Sequence, residues 1–354
     1  MSKGTEIERR EFLIRSLKIG CAGAMGLSLS SLLPGCDESS GGCNSGGDCA
    51  DENIITGHRP VVSSAWIRKG NQTGNYEMFK AMVETATDFS WLSTGDRILC
   101  KLALNSANDF PATTDPWALD CMLKILKEKG AGTCLVGDQS GIYQANNTRT
   151  CLTRTGLMDV INSNGATAVY FENGGHTSYS AANWSTAPSI TNYVNQVDHI
   201  IYLPRIATHT LADKTFSLKI AVGFLSSASR RTMHRGALTE MYPSINDIPA
   251  IKNKFRLSVT SAMKLMTTGG PDSGTIVEPN YGLIFASQDL LAADLMAGAF
   301  LNANRSTSDA IYCHDAVQSY IERNGNIEKL IWDSLNENPN SSITNDMINS
   351  LQKI

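Results

Sequence analysis

The sequence predicts an α/β fold with a largely parallel or mixed sheet, helices on both faces of the sheet and further helices at the C-terminus. From about Pro60 onward, short β-rich apolar runs alternate with longer runs of helical periodicity. The helical runs have ten or more residues, the length that a crossover between parallel strands needs. The chain has 354 residues and is 42% hydrophobic, enough to build a sizeable core.

The predicted elements alternate regularly along the chain. The strands are Val61–Ile67, Arg97–Leu104, Thr133–Val136, Thr167–Phe171, His199–Leu203 and Leu283–Ala286. The helices are Tyr76–Phe89, Trp117–Lys129, Leu152–Asn162 and a last helix that ends near Asn302. We place one α/β domain at residues 54–305 and a C-terminal helical extension, of two or three surface helices, at 306–354.

The first 35 residues are predicted to be an export signal. Arg9-Arg10 precede Phe12-Leu13, which resembles a twin-arginine signal read by the export machinery. The apolar stretch Ile19–Leu33 has roughly fifteen residues, short of the about 20 that span a bilayer. Leu33-Pro34-Gly35-Cys36 resembles a lipobox, so acylated Cys36 would anchor the chain in the cell envelope, in the periplasm or on the outer face of the cytoplasmic membrane. The alternative is an ordinary cleaved signal with an incidental cysteine.

The cysteines fit an exported protein whose core does not depend on disulfides. Residues 36–53 are rich in Gly, Ser and acid and predict a flexible tether, in which Cys43 and Cys49 could pair after export. Cys100, Cys121 and Cys134 lie in apolar patterns and are predicted to be core residues. No C-x-x-C occurs in the sequence, which argues against a ferredoxin-type iron–sulfur cluster or a zinc ribbon.

Charge excludes one large class of partners. Residues 1–35 hold five Lys or Arg and three Asp or Glu, and the remaining chain has 25 basic and 31 acidic residues. A mildly acidic surface does not suggest nucleic acid.

Basic residues nevertheless concentrate between Asp198 and Glu240. This basic island contains His199, His209, His234, Arg205, Lys214, Lys219, Arg230, Arg231 and Arg235. Arginine binds carboxylate or phosphate with two hydrogen bonds and lysine contributes a point charge, so the island favours an anionic ligand. A solvated basic face is the alternative. Arg205 and Arg230 are our candidate substrate-binding residues.

Several polar residues follow predicted strands, where open α/β sheets place ligand sites. His209 follows His199–Leu203, and Asp138 follows Thr133–Val136 in a glycine-flanked turn. His199 itself precedes an apolar pair and is predicted to be structural. The turn 269–274 is also predicted to be structural, because its glycines permit positive φ.

Two aspartates accompany the helix after Leu283–Ala286. Ser287 or Asp289 is predicted to be its N-cap. Asp294 lies among leucines, where a carboxylate is either paired or functional. We expect His209, His234 and Asp294 to share one pocket, with Asp138 and Asp289 as further candidate ligands of a divalent metal and with His209, His234 and Lys219 as candidate catalytic residues.

Together these segments resemble the family called domain of unknown function 362, from about Val61 to Leu301. The motifs are Lys101-x-x-x-Asn105, 136–141 (VGDQSG), 198–209 (DHIIYLPRIATH), 217–223 (SLKIAVG), Ser229-Arg230-x-x-x-His234, 269–274 (GGPDSG) and Ala286-Ser287-x-Asp289-x-x-Ala292-x-Asp294. The usual Lys before Thr208-His209 is Ala207 here, and the usual Asn after Lys219 is Ile220. The resemblance adds Lys101 as a candidate substrate-binding residue and implies a redox context, but names no reaction.

Two functions therefore remain open. One is a metal-assisted or redox-associated enzyme at the cell envelope that acts on a small anionic molecule. The other is a lipid-anchored binding or assembly factor that presents the same basic pocket to an anionic ligand or a redox partner, without turnover.

Overall fold

A computed structural model describes residues 12–15, 60–142, 146–305, 315–327 and 329–351. The predicted apolar signal stretch Ile19–Leu33, the acylation site Cys36 and the tether with Cys43 and Cys49 lie outside the described residues. Within the described part of the chain, no helix is both long enough and apolar enough to cross a membrane.

The described elements are fifteen strands, eleven α-helices and five short 3₁₀ turns, two of which are Gln72–Gly74 and Ala221–Phe224. The strands are β1 Phe12–Arg15, β2 Val61–Arg68, β3 Ile98–Leu102, β4 Cys134–Asp138, β5 Thr167–Tyr170, β6 His176–Ser178, β7 Ser189–Thr191, β8 His199–Leu203, β9 Ala207–His209, β10 Asp213–Thr215, β11 Phe255–Ala262, β12 Leu265–Met266, β13 Ile276–Val277, β14 Tyr281–Ser287 and β15 Lys329–Ser334. The helices are α1 Tyr76–Ala86, α2 Pro116–Glu128, α3 Thr148–Arg154, α4 Leu157–Ser163, α5 Ser217–Ile220, α6 Ser227–Arg235, α7 Leu238–Ser244, α8 Pro249–Lys252, α9 Leu290–Ala303, α10 Asp315–Asn324 and α11 Ser341–Leu351.

One large mixed sheet organises the domain, as predicted. Its order is β1-β15-β2-β14-β11-β8-β3-β4-β5. The strands β11, β8, β3, β4 and β5 are mutually parallel, whereas β14 runs antiparallel between β11 and β2. From β3 the chain moves outward through β4 and β5 and then returns to the other side of β3 as β8. The strand order therefore reverses between β3 and β8, which is where α/β sheets of this type form a ligand crevice.

Helices cover both faces of the sheet. On one face, apolar side chains of α1 and α2, such as Phe79 and Leu119, pack with Cys100 and Leu102 of β3. The opposite face buries Leu99 and Tyr202 against α7 and the segment around Phe224. Cys100 and Cys121 are buried free thiols and Cys134 is half-buried, so the sequence placed these cysteines in the core correctly.

Three strands of the large sheet, β1, β11 and β15, are additions to the sequence-based prediction, and β1 lies within the predicted export signal. Strand β11 lies in the middle of the sheet, yet half of its residues are Ser, Thr or Arg. Buried hydrogen bonds explain how it tolerates them: Ser258 Oγ lies 2.8 Å from Ser217 Oγ, and Ser261 Oγ donates to Asp115 at 2.7 Å. Strand β15 lies between the two C-terminal helices α10 and α11 and pairs parallel with β2. The extension 306–354 is therefore not purely helical.

One predicted helix is divided. The sequence predicts a continuous helix over Leu152–Asn162, but the structure has α3 and α4 on either side of Gly156. Gly156 has φ +73°, a conformation that interrupts a right-handed helix and that glycine adopts at little cost.

A small four-stranded sheet extends from the carboxyl edge of the large one. Its order is β10-β9-β12-β13, with β9 and β10 forming a hairpin. Because β9 follows β8 after only three residues, this hairpin brings His209 and Thr215 close to the end of β8. The turn after β12 uses Gly269 and Gly270 at positive φ, as predicted.

Candidate functional site

A small cleft opens at the carboxyl ends of β3, β4 and β8, at the point where the strand order reverses. Its volume is about 60 Å³. It is lined by Ala103, Leu104, Asn105, Asp138, Gln139, Arg205, Thr215, Lys219, Ile220, Val222, Gly223, Arg230 and Pro271. Three strand ends, the helix α5 with the segment after it, the helix α6 and the turn after β12 therefore contribute to one site.

A buried ion pair forms the base of the cleft. Lys101 Nζ donates to Asp138 Oδ1 at 2.8 Å and to the carbonyl of Leu102 at 2.7 Å. The other oxygen of Asp138 accepts the backbone N–H of Leu104 at 2.8 Å. Burial lowers the pKa of Lys101 to about 8, although the Asp138 carboxylate opposes that shift. Lys101 has no exposed surface, so it affects the cleft only through its packing and its charge.

Close packing holds this pair in place. Lys101 Nζ lies 5.7 Å from the ring centre of Phe171 and 5.4 Å from that of Phe224, within range for cation–π attraction. A Cβ atom added to Gly223 would overlap Asp138 Oδ1 and Lys101 Nζ. The position therefore requires glycine, because the backbone itself forms one wall of the ion pair.

Two arginines are fixed above the ion pair by backbone carbonyls. Arg230 donates to the carbonyls of Ser140, Gln139 and Gly223 at 2.8–3.0 Å. Arg205 donates to the carbonyls of Pro111 at 3.0 Å and Pro271 at 2.8 Å. Both side chains are at least 96% buried. Burial lowers the pKa of each arginine, that of Arg205 to about 10, and a group that starts so high stays cationic at neutral pH.

Lys219 differs from the other charged groups of the cleft. Within the described residues it has no hydrogen bond and no carboxylate within ion-pair distance. Burial lowers the pKa of Lys219 most, the charges of Arg205 and Arg230 lower it further and Asp272 opposes them, so that the pKa is about 7. At neutral pH this amine is therefore present in both the protonated and the neutral form.

The position of Lys219 is set by an aspartate on another helix. Asp294, on α9, accepts the backbone N–H of Leu218 at 3.0 Å and so caps the short helix that carries Lys219. Its other oxygen faces Lys214 Nζ at 3.9 Å. Burial raises the pKa of Asp294 to about 6, partly offset by Lys214.

His209 is held as a neutral hydrogen-bond donor. Its Nδ1 accepts the backbone N–H groups of Leu211 at 3.1 Å and Ala212 at 3.2 Å, so the ring hydrogen is on Nε2. Burial and the charges of Lys219 and Arg205 lower the pKa of His209 to about 2. His234 also acts on His209 electrostatically, and its Nδ1 lies 2.7 Å from the carbonyl of Arg230.

Several buried polar atoms at this cleft lack hydrogen-bond partners. Among the described residues that line it, four buried atoms have no hydrogen bond: Gln139 Oε1, Arg205 Nε, Thr215 Oγ1 and Arg230 Nε. Leaving a buried polar group unpaired costs about 1–3 kcal/mol. Three of the four can donate to an oxyanion, and Gln139 Oε1 can accept from a donor. Together with the amine of Lys219, these four atoms are the groups to which a small polar ligand would bind.

The structure brings together only some of the sequence-predicted site residues. Lys101, Asp138, Arg205, Lys219 and Arg230 line or underlie the cleft, and His209 and His234 lie beside them. Asp289 is the N-cap of α9, with Oδ1 accepting the N–H of Ala292 at 2.7 Å. The oxygens of Asp294 are directed at Leu218 and Lys214 rather than at the histidines.

The predicted metal ligands do not form one ligand set. Asp138 is occupied by Lys101 and backbone N–H groups, and Asp289 and Asp294 make contacts on α9 and α5. Within the described residues, no group of three or more His, Cys, Asp or Glu side chains is arranged to hold a metal ion. The side chains described here therefore do not fit the divalent metal that the sequence suggested.

The basic island is divided between two roles. Arg205, Lys219 and Arg230 are directed into the cleft, whereas Arg231 and Arg235 on the same helix as Arg230 are exposed. His199 is structural, as predicted: its Nε2 lies 3.0 Å from Asp96 Oδ2 and its ring packs edge-on against Trp91.

The residues that sequence reasoning missed are Thr215 and the side chain of Gln139. Gln139 was noted only as part of a turn, and Thr215 lies in a strand of three residues. Nothing in their local pattern distinguishes them, because their importance comes from the lack of a partner in the folded chain.

A second depression is larger but has different chemistry. It measures about 660 Å³ and is lined mostly by exposed or half-buried residues near the end of α1 and the start of β11, including Glu84, Asp88 and Arg256. It lies at the opposite edge of the parallel strands from the cleft. No lysine or arginine that lines it is buried, so the cleft is the better candidate for a specific ligand site.

Comparison with known proteins identifies the family of the domain that contains this cleft. No curated protein matches the chain. A family model described as Domain of unknown function (DUF362) matches residues 98–299, from the first residue of β3 almost to the end of α9. That span covers more than half of the chain and includes every residue named above as lining the cleft. The chain therefore belongs to the family of Domain of unknown function (DUF362) proteins.

Proposed function

We propose that the protein is an enzyme that binds a small molecule carrying a carboxylate or phosphate group in the cleft, with Lys219 as its acid–base group. The observation that carries this proposal is the convergence of three unpartnered cationic donors on one cavity of about 60 Å³: the buried Arg205 Nε and Arg230 Nε, and the amine of the half-buried Lys219. Within the described residues, none of these three cations has a carboxylate in ion-pair distance. An oxyanion would supply the missing partner.

The chemistry follows from which groups are fixed and which can change. Arg205 and Arg230 are held by backbone carbonyls and offer their Nε–H donors in a rigid arrangement. Lys219 can take or give a proton near neutral pH, because its pKa is lowered to about 7. His209 offers a neutral Nε2–H donor nearby and, with so low a pKa, does not compete for that proton.

The second candidate is a binding or assembly factor that uses the same cleft without turnover. One observation favours it: both oxygens of Asp138 are already engaged, so this carboxylate is not a free general base. The two candidates differ in what Lys219→Arg does, because a longer cation preserves anion binding but cannot become neutral near pH 7.

Titration calorimetry of the full chain at pH 6 and low salt tests the proposal, with phosphate, sulfate and acetate as probes. We expect at least one of these anions to bind, and Lys219→Met to weaken that binding by about tenfold. The matched control is Arg231→Met, which removes an exposed positive charge from the helix that carries Arg230. Absence of binding by every probe, or equal weakening in the control, would contradict the proposal.

We also propose that the chain leaves the cytoplasm by the twin-arginine route and is anchored by acylated Cys36. Arg9-Arg10, the short apolar stretch and Leu33-Pro34-Gly35-Cys36 support this proposal. Cleavage before Cys36 would remove the edge strand β1 and leave β15 at the edge of the large sheet. Mass spectrometry of the membrane fraction should find a lipid-modified N-terminal cysteine. Cys36→Ala should release the protein from the membrane, and replacement of Arg9 and Arg10 by lysines should hold it in the cytoplasm. A soluble wild-type protein that begins elsewhere would exclude the anchor.

A further inference from the structure

We infer that Lys219 is a nucleophile that forms an iminium ion with a small 2-oxo acid, whose carboxylate Arg205 and Arg230 hold. The inference rests on the proposed anion-binding function and names its substrate class. An amine can attack a carbonyl carbon only while its lone pair is free of a proton. Whether a lysine near the cleft can be neutral depends on the charged groups beside it.

Three lysines lie in or near this region: Lys101 and Lys214 are buried and Lys219 is half-buried. Among the described residues, only Lys219 lacks a carboxylate within ion-pair distance. Lys101 is bound to Asp138 at 2.8 Å. Lys214 faces Asp294 at 3.9 Å and packs 5.2 Å from the ring centre of Phe216. Each carboxylate favours the protonated lysine beside it. Lys219 has no such neighbour and stands between two cations, so it is the lysine whose neutral form is most accessible.

The size of the cleft limits the ligand. At roughly 10–15 Å³ for each water, a cavity of about 60 Å³ has room for about four to six water molecules. Glyoxylate and pyruvate, with about five and six non-hydrogen atoms, match that space. Because the amine and the two guanidinium groups line the same small cavity, a ligand that reaches both needs its carbonyl next to its carboxylate.

The unpartnered acceptor Gln139 Oε1 suits the carbinolamine intermediate of this reaction. Gln139, which lines the cleft, donates from Nε2 to Ser227 Oγ at 2.8 Å, and its Oε1 has no donor. A carbinolamine, the first product of amine addition, carries a hydroxyl group that can donate to this oxygen. Thr215 Oγ1, also without a partner, can accept or donate beside it.

The step balances without any oxidant or reductant. The lone pair of Lys219 Nζ forms a C–N bond as the C=O π bond breaks, and one proton moves from nitrogen to oxygen to give the carbinolamine. The C–O bond then breaks, with one proton taken from solvent, and water leaves. The product is an iminium ion that keeps one N–H, and water can reverse every step.

Reductive trapping of the full chain tests the inference. Sodium cyanoborohydride delivers hydride to the iminium carbon and makes a stable secondary amine, which peptide mass spectrometry assigns to one lysine. With glyoxylate or pyruvate at pH 7, we expect Lys219 to be modified about tenfold faster than Lys101, Lys214 or the half-exposed Lys69. Acetate should slow the modification, because it occupies the carboxylate position without a carbonyl group.

The initial rate should also rise as pH increases through about 7, the pKa of Lys219. The charged or titratable groups that face this amine are Arg205 after β8, Arg230 on α6, Asp272 in the turn after β12, and His209 on β9. The arginines stay charged across this range, and His209 stays neutral because its pKa is about 2, so the rise reports Lys219.

The outcomes separate this inference from the proposed function. If pyruvate binds by calorimetry and no adduct forms on Lys219, the inference is wrong and the anion site stands. If pyruvate, acetate, phosphate and sulfate all fail to bind and no adduct forms, both are wrong. Modification of Lys69 at the same rate as Lys219 would show ordinary surface chemistry and would also overturn the inference. These measurements use the wild-type chain, so they do not depend on the folding of a variant.

Discussion

Two lysines at the carboxyl edge of the same sheet, the buried Lys101 and the half-buried Lys219, show how a partner decides the role of a lysine. Lys101 is paired with Asp138 at 2.8 Å, flanked by the rings of Phe171 and Phe224 and sealed from solvent. Lys219 has the same ammonium group but faces two arginines and no ion-paired carboxylate. The first region is a fixed part of the structure, and the second can bind and react.

Lys101 and Lys219 differ because different strands and helices supply the residues around each of them. Strand β4 ends in Asp138, directly beside Lys101 of the adjacent parallel strand, whose Cα partner is Gly137. Lys219 lies on a helix of four residues, and the carboxylate nearest to that helix, Asp294, caps it instead of pairing with Lys219. A ligand is therefore needed to complete the charge balance at Lys219 but not at Lys101.

The largest effect should follow from breaking the paired region. Asp138→Asn leaves Lys101 buried without a carboxylate, and we expect it to lower the free energy of unfolding by about 3–5 kcal/mol. Urea denaturation measures this loss. The control is Glu278→Gln, which removes the exposed ion pair with Lys69 and should cost less than about 1 kcal/mol. Equal small losses in both variants would mean that the buried pair is not structural.

Gly223→Ala tests the packing around the same pair. The added methyl group would overlap Asp138 Oδ1 and Lys101 Nζ, so we expect a loss of about 1–3 kcal/mol in the free energy of unfolding. The matched control is Gly74→Ala, also in a 3₁₀ turn, where a Cβ has no atom within 4 Å. A neutral Gly223→Ala would show that the backbone does not press against the ion pair.

Removing the charge of Lys219 should have the opposite effect and raise the free energy of unfolding. Because the folded-state pKa of Lys219 is about 7, below its ordinary 10.5, the unfolded chain binds more protons between these two values. The cost of the buried charge is therefore fully present below about pH 7 and disappears as pH rises toward 10.5. Lys219→Met should stabilise the protein by about 1–2 kcal/mol at pH 6 and hardly at all at pH 10.

Thermal or urea unfolding of wild type and Lys219→Met at both pH values provides that measurement. If Lys219→Met is less stable than wild type at pH 6, Lys219 is a structural residue like Lys101. Arg231→Met, exposed and outside the cleft, should show no such pH dependence.

The smallest effect is on the affinity for sulfate, whose charge is constant from pH 5 to 9. Protonated Lys219 attracts the anion and neutral Lys219 does not, whereas Arg205 and Arg230 stay charged throughout. We therefore expect sulfate affinity to fall by about three- to tenfold as pH rises from 6 to 8. In Lys219→Arg the affinity should stay nearly constant over this range. A fall of the same size in that variant would assign the titration to another group.

Most of the fold could be predicted from the sequence because most of its strands and helices have a recognisable local pattern of apolar residues. Strand β8 was predicted at its observed bounds, since His199–Leu203 is a short apolar run with clear ends. Strand β11 was missed because Ser258 and Ser261 lie in its buried centre, and only their distant partners, Ser217 and Asp115, satisfy them. Such pairing follows from the tertiary fold and leaves no local pattern.

The same distinction applies to the site. Arg205, Lys219 and Arg230 could be selected from sequence because they are unusual cations in an acidic chain, next to strand ends and apolar residues. Asp294 was correctly expected to be paired or functional, but its partners Leu218 and Lys214 are 76 and 80 residues away in sequence. The absence of a carboxylate beside Lys219, which sets its chemistry, emerges only when the whole cleft is assembled.

A lysine-selective NMR titration tests the central claim most directly. With ¹³C-labelled lysine in the full chain, the Cε signal that is lost in Lys219→Arg should titrate near pH 7 and move to higher pH when sulfate is added, since the anion favours the protonated amine. The Lys101 signal should be insensitive to sulfate. If the Lys219 signal titrates near 10.5, or if sulfate leaves its midpoint unchanged, the account of the cleft as an anion site built around an unpaired lysine is wrong.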